Sequence, residues 1–335
     1  MDKIKFSIVI INWNGRKNLG ELFDKCMESV MNTKYKNFEV IFVDNASADG
    51  SYEYAQSKCD FRFFRNSENL GFVGGNNVGA RFCEGDVIVF LNNDTIVDPD
   101  WLDEPATLFE NPKVGIVQSN LRMLNDPAIP DSIGHIISTI VLPIENTFFM
   151  DEPTEPLSIF GGKGAALSVR KELFERLGGF DEDYFFYFEE SDLCWRARLL
   201  GYDVYFSPNS IVLHKGGGTF RNGKLLYHRQ KNTIASMIKC YELKNLIKYL
   251  PVRLLFEMVG VFYLAFKKPS LAIGNIKALG WVLKNTGKLL TKRKEIQRTR
   301  VVADKEMFER GFITKSLRMT FNYTRSRLGM FEAAK

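Results

Sequence analysis

Phe6–Trp13 (FSIVIINW) is a nearly unbroken apolar run, the pattern of a strand buried on both faces. Behind it Leu19, Leu22, Phe23, Cys26 and Val30 recur at helical spacing. Phe38–Val43 (FEVIFV) predicts a second buried strand that ends at Asp44, and Phe61–Phe64 and Val87–Leu91 (VIVFL) predict two more, with a helix around Asn76–Cys83 between them. This βαβα order implies a mostly parallel sheet with right-handed crossovers. Ligands of such sheets bind beyond the carboxyl ends of the strands. Trp13 and Asn14, Asp44 and Asn45, and Asn92, Asn93 and Asp94 are therefore expected along one edge, although far apart in sequence.

From about 120 to 160 the pattern is irregular and punctuated by Pro127, Pro130, Pro143, Pro153 and Pro156, which predicts loops and short strands. Gly161–Val169 resumes a strand and Lys171–Leu177 a helix. Beyond about 228 the chain reads as helical, so the expected division is a domain of residues 1–225 and a helical region of 226–335. Val252–Phe266 is apolar, but it is interrupted by Arg253 and Glu257 and falls short of the roughly 20 residues that span a bilayer. It predicts a helix lying on a membrane surface; packing on its own domain or a homodimer interface is the alternative.

Composition adds partners to this picture. With 45% hydrophobic and 25% charged residues among 335, the chain belongs to the ordinary globular class. The net charge of +5 is uneven: Lys284, Lys288, Lys292, Arg293, Lys294, Arg298 and Arg300 face a single acid, Glu295. Such a stretch favours anionic lipid or nucleic acid, and with no stacking-aromatic platform nucleic acid is not expected. The five cysteines are scattered and form no CxxC pair, which argues against a disulfide framework or structural zinc and fits a reducing compartment. No secretory signal is expected at the N-terminus. The predicted location is cytoplasmic, peripheral on the inner face of the cell membrane.

Four clusters carry candidate chemistry. Leu91–Thr95 (LNNDT) places carboxamides and a carboxylate at a strand end, hard oxygen ligands suited to Mg²⁺ or Mn²⁺ on a diphosphate, or equally a polar turn. Tyr184–Arg196 sets Glu189, Glu190 and Asp192 after an aromatic run. Close carboxylates in apolar surroundings raise one another's pKa, as a general base near neutral pH requires. Asp192 could instead cap the helix, with Arg196 as its i+4 partner. Ile211–Thr219 delivers His214 into a triple glycine, a metal ligand beside a mobile lid or a structural histidine. Asn69–Gly79 (NLGFVGGNNVG) could hold a sugar or phosphate at a helix start, or could only let helix and strand pack closely. The dinucleotide fingerprint is absent, since the first turn reads Asn12-Trp13-Asn14-Gly15-Arg16, and there is no P-loop.

In this order, SIVIINWNG, EVIFVDNASADGS, NLGFVGGNNVGA, FLNNDT, GGKGAALSVRKELFERLGGFDEDYFFYFEESDLCWR and VLHKGGG make residues 5–235 resemble the family-2 glycosyltransferases, within them the rhamnosyltransferase-like branch. The resemblance implies an α/β GT-A fold (Rossmann-like, mostly parallel sheet) with a C-terminal helical extension. It implies inverting transfer of a sugar from a dTDP-, UDP- or GDP-sugar donor to a glycan or polyprenyl-linked acceptor, with Mn²⁺ or Mg²⁺. Carried over, the nucleotide-sugar contacts fall on Ile11, Trp13, Asn14, Asp44, Asn45, Gly71, Asn76, Asn92, Asn93 and Gly164. The metal ligands fall on Asp94 and His214, and the catalytic carboxylates on Glu190 as base with Glu189 and Asp192 beside it. Two positions depart from the family pattern: Asn92 stands where DxD begins with Asp, which lowers the local negative charge, and the base is Glu rather than Asp, one methylene longer. Membrane contact is assigned to the basic C-terminal helices. The competing functions are a polyprenyl-phosphate monosaccharide synthase and a non-catalytic sugar-nucleotide scaffold, which would be expected to lack Asp94 or the Glu189/Glu190 pair.

Overall fold

The computed structural model describes residues 3–216 and 223–333, except the side chains of 223–224 and 327–333. In chain order the first elements are β1 (Phe6–Asn12), α1 (Gly15–Leu19), α2 (Glu21–Met31), β2 (Phe38–Asp44), α3 (Ser51–Lys58), β3 (Arg62–Arg65), α4 (Gly71–Ala80), β4 (Val87–Asn92), β5 (Thr95–Val97) and α5 (Asp103–Phe109). There follow β6 (Val114–Met123), β7 (Asp126–Ser132), β8 (His135–Ser138), β9 (Pro143–Glu145), β10 (Leu157–Ser158), β11 (Ala166–Arg170), α6 (Lys171–Arg176), α7 (Glu189–Leu199) and β12 (Asp203–His214). The chain ends in α8 (Gly223–Cys240), α9 (Leu243–Lys267), α10 (Pro269–Lys284), α11 (Thr286–Thr299), α12 (Asp304–Glu309), β13 (Ile313–Thr314) and α13 (Leu317–Ala333).

Two compact units result. The first holds the chain up to Ile133 and from Glu152 through β12; the second holds Gly134–Asp151 and the chain from α8 onward. A division near 225, as the sequence pattern suggests, falls inside α8, and it leaves out 134–151, which supplies β8 and β9 to the second unit.

The first unit is built on one ten-stranded sheet ordered β10-β12-β6-β11-β4-β1-β2-β3, with β5 on β12 and β7 on β6. β1, β2, β3, β4, β6 and β12 run one way, while β5, β7, β10 and β11 run against them. The sheet is therefore mostly parallel, as the βαβα order predicts. The apolar run of β1 is buried because it is central, flanked by β2 and β4 and covered on its faces by helices. α2 turns Leu22, Phe23, Cys26, Met27 and Val30 inward at helical spacing. Each such side chain contributes about 1.5–3 kcal/mol of burial. α4 presses so closely on β1 and β2 that a Cβ at Gly79 would stand 2.4 Å from Val9 Cγ1.

Three local expectations shift. The helix expected around 76–83 is α4, which starts at Gly71, because tight packing on the sheet outweighs the low helix propensity of its glycines. The strand expected from Gly161 becomes regular only at Ala166. The apolar stretch 252–266 is part of the 25-residue α9, which runs on through Pro251. All five cysteines are buried.

Candidate functional site

Register brings the predicted edge together. Asn12 sits opposite Asp44 and Ile11 opposite Asn92, so three strands end side by side. Asn12 Nδ2 lies 2.9 Å from Asp44 Oδ1 and 2.8 Å from Ser51 Oγ, while Asn12 Oδ1 accepts from Asn93 Nδ2 at 3.0 Å. Asp44 is fully buried; its other oxygen takes the Ser47 amide at 2.8 Å and faces Arg65 Nε at 3.4 Å. Asn45 is also buried and is clamped between Gly71 O and Asn66 Nδ2. Trp13, by contrast, is 47% exposed, and Asn14 beside it adopts a left-handed backbone while its side chain accepts from the Ala48 amide.

In the glycine cluster, the close-packing reading drawn from the sequence is met at two glycines. Gly79 serves close packing, while Gly71 has φ +71° and a Cβ there would meet the Phe185 ring and carbonyl at 2.7 Å. Asn76 is buried, and its Nδ2 has no hydrogen-bond partner among the described residues. A buried amide N–H without a partner costs about 1–3 kcal/mol, and a polar ligand at this edge would relieve that.

At the end of β12, His214 is paired against Thr95 of β5 and Met123 of β6. His214 Nε2 lies 3.4 Å from Asp94 Oδ1, and Nδ1 lies 2.8 Å from Asp131 Oδ2. Lys163 Nζ reaches the same Asp131 oxygen at 2.6 Å. Burial alone would lower the His214 pKa, but Asp131 and Asp94 outweigh it and raise it. Asp131 is brought down to about 2, since the bonds from His214 and Lys163 overcome its own desolvation. Nothing in the sequence pattern pointed to Asp131, a lone carboxylate in a proline-broken stretch, or to Lys163. Gly217, Gly218 and Thr219 of the glycine lid lie outside the described residues.

The carboxylate cluster opens α7. Tyr187 and Phe188, just ahead of it, are both left-handed, with φ of 75° and 73°. For residues with a Cβ this costs about 1–2 kcal/mol each, and such strain collects at functional sites. Glu189 is buried and its Oε2 has no hydrogen-bond partner among the described residues, whereas Glu190 is only partly buried. Asp192 is not the helix cap: it lies in the first full turn, wholly buried, with Oδ2 2.7 Å from Arg196 Nε. Arg196 in turn donates to the Leu177 and Gly179 carbonyls. This is the i+4 partnership expected from the sequence, and it makes Asp192 a support for the helix, held away from the open edge.

Burial, then the charges of Glu190 and Asp192, hold the Glu189 carboxyl well above its usual range. The native state therefore keeps a proton that the unfolded chain has already released, so this group lowers stability as pH rises above about 4. Glu189→Gln is expected to melt higher than the parent at pH 7, by about 2–4 °C for each kcal/mol recovered, and the gap should close near pH 4. A melting difference that does not change with pH would contradict this account of Glu189.

One short segment joins these groups. Lys163 reaches Asp131, and its amide donates to Gln118. A Cβ at Gly164 would come within 3.0 Å of the Phe72 ring and 3.8 Å of the Glu190 carboxyl carbon. The Ala165 carbonyl accepts the Asn92 amide at 2.9 Å. Residues 163–165 thus connect the Asp94–His214 pair, the end of β4 and Glu190.

The family model for glycosyl transferase family 2 matches residues 7–178, more than half of the chain. The chain belongs to glycosyl transferase family 2. Among curated relatives, this family-2 chain is 24% identical over 205 residues to the low-salt glycan biosynthesis hexosyltransferase Agl10 of Haloferax volcanii, covering 57% of this chain and 61% of that protein. It is 27% identical over 215 residues to the O-antigen biosynthesis protein RfbC of Myxococcus xanthus, covering 59% of this chain and 16% of that protein. It thus spans less than two thirds of each of these relatives. Of solved structures, the S. aureus TarS fragment 1–349 aligns with a TM-score of 0.54 at 16% identity, covering 92% of both chains. The mannosyltransferase PcManGT of Pyrobaculum calidifontis, in complex with GDP-Man and Mn²⁺, aligns at 0.53 and 16% identity over 84% of this chain and 87% of its own. The fold is GT-A.

A divalent cation fits this edge of the family-2 chain. Ligands about 2.1 Å from a six-coordinate ion stand about 3.0 Å apart at adjacent corners, and the Asp94 oxygen and His214 Nε2 are 3.4 Å apart. Asp131 on Nδ1 orients the ring so that Nε2 faces Asp94. Among the described residues no group of three or more candidate ligand side chains is assembled. Mg²⁺ and Mn²⁺ bound to a diphosphate commonly take only one or two protein ligands, the phosphates and water filling the rest.

Proposed function

We propose that this chain is a hexosyltransferase that moves a sugar from a nucleoside-diphosphate donor to a hydroxyl of a lipid-linked glycan or polysaccharide, with inversion and with a divalent metal. The observation that carries this reading is the 163–165 segment, which sets Glu190 beside the strand edge that holds Asp94 and His214. The names of the relatives support it: a hexosyltransferase, an O-antigen biosynthesis protein, and structures bound to UDP or to GDP-Man with Mn²⁺.

In this reading Trp13 and Asn14 offer an open face to the base, and Asp44 and Asn45 shape the base and ribose pocket through Asn12 and Asn66. Ile11, Gly71, Asn76, Asn92, Asn93 and Gly164 line the rest of the donor path. Asp94 and His214 would hold the metal, which supplies charge neutralisation for the departing diphosphate. Glu190 takes the proton of the acceptor hydroxyl as its oxygen bonds to the anomeric carbon and the sugar–phosphate bond breaks on the opposite side. Glu189, kept protonated by burial, positions the acceptor, and Asp192 fixes α7 through Arg196. dTDP-rhamnose is the first donor to test, and the site of action is the membrane surface.

The test is a melting panel with UDP, dTDP and GDP, each with Mn²⁺, Mg²⁺ or EDTA. A nucleotide at about 100 times its Kd adds about 2.7 kcal/mol and raises the midpoint by several degrees. One nucleotide is expected to give such a shift with metal and lose most of it in EDTA. No shift from any nucleotide on folded protein would overturn the reading.

A further inference from the structure

α9 is inside out for a helix in water. Its inner face carries Arg253 and Glu257, 0% and 1% exposed, paired Nε to Oε1 at 2.9 Å. Arg253 also donates to the Ile140 and Val141 carbonyls and to the Gln230 and Thr233 side chains, and Asn275 of α10 donates to Glu257. Its outer face is apolar at helical spacing: Val252, Leu255, Phe256, Val259, Phe262 and Phe266, with Phe262 71% and Phe266 77% exposed. α10 repeats the arrangement, keeping Ala272, Gly274, Asn275 and Ala278 inside while Ile273, Ile276 and Leu283 face out. Both helices pack on α8 and on each other, so their outer faces lie away from α8. An exposed apolar face of this kind, rimmed by polar residues, marks a site of interaction with a protein or a membrane.

The charge around this face is of one sign. From Leu243 to Lys294 the only acid is Glu257, which is buried, whereas Lys244, Lys248, Lys267, Lys268, Lys277 and Lys284 are all exposed. A second copy docked by two-fold symmetry would set this cationic rim against itself, a repulsive arrangement. Anionic lipid satisfies both features, since headgroups pair with the lysines and acyl chains take up the apolar stripe. At 25 residues α9 is long enough to cross a bilayer. Its inner face nevertheless rests on α8, which buries Lys231, Asn232 and Lys239, so hydrocarbon cannot surround it.

We propose that the α9–α10 hairpin is the membrane-docking element of this protein, lying flat in the headgroup region of an anionic leaflet with Phe262 and Phe266 among the acyl chains. This rests on the membrane-surface placement in the function proposed above and names the element responsible for it. The test is flotation of the full chain with vesicles of phosphatidylcholine alone, or with about 30% phosphatidylglycerol, at about 0.1 M and about 1 M salt. The parent is expected to float with the anionic vesicles and to stay largely bound at high salt, because the inserted apolar face is not screened. The double variant Phe262→Glu and Phe266→Glu, at exposed positions, should melt like the parent and partition at least about tenfold less. Equal flotation of the double variant, complete release of the parent by salt, or a dimer in light scattering that the double variant abolishes would each overturn the proposal. The nucleotide melting shift measured on the same preparation separates the two ideas: if it survives while flotation fails, the docking inference falls and the transferase stands.

Discussion

Glu190→Gln is expected to lower kcat for sugar transfer by about 10²–10⁴-fold, the usual contribution of a positioned general base. Gln keeps the length and shape of the side chain but cannot take the acceptor proton. Glu190 lies beside Gly164, next to the strand edge, and is only partly buried, whereas Glu189 is buried with its pKa held well above the usual range. The metal-dependent melting shift with nucleotide should remain within about twofold in apparent Kd, because Glu190 does not hold the donor. Glu190→Asp should fall between the two, since it can accept the proton but from a longer distance. A loss of kcat below about tenfold for the Gln variant would show that Glu190 is not the base.

The strand-edge half of this candidate site was legible in the sequence because central parallel strands announce themselves. The unbroken apolar runs ending at Asn12, Asp44 and Asn92 imply burial on both faces, and burial on both faces implies that their polar ends share one edge. Hydrogen bonds among Asn12, Asp44 and Asn93 show that they do. The other half was less legible because it depends on contacts distant in the chain. Asp131 gains its place only when β7 folds against β6, and no local pattern of Asp126–Ser132 forecasts that. The left-handed Tyr187 and Phe188 are likewise invisible, since aromatic residues normally argue for extended structure and only the surrounding packing can hold them in this conformation. Asp192 illustrates the converse: a helix-start carboxylate reads as a cap, yet α7 begins three residues earlier and Arg196 draws Asp192 inward. The stretch 134–151 reads as loops and short strands, and its membership of the second unit follows only from bonds distant in the chain, such as Tyr241 to the Thr139 carbonyl.

Asp94→Asn is expected to remove the metal-dependent part of the nucleotide melting shift and to cut kcat/KM by about 10²–10³-fold, equivalent to about 3–4 kcal/mol of lost stabilisation of the leaving diphosphate. The substitution keeps size and hydrogen bonding, so the backbone bond from the Lys215 amide to the Asp94 carbonyl stays in place. What it removes is charge, and charge is already scarce here because Asn92 and Asn93 supply none. Asp131 cannot substitute, since its nearer oxygen is held by both His214 and Lys163. The expected pattern is therefore asymmetric. In EDTA the variant and the parent should show the same small nucleotide shift, and adding Mn²⁺ should separate them. An equal Mn²⁺-dependent shift in both proteins would mean that the metal is held elsewhere or by the diphosphate alone, and the Asp94–His214 pair would then be a structural clasp between β12 and the end of β4.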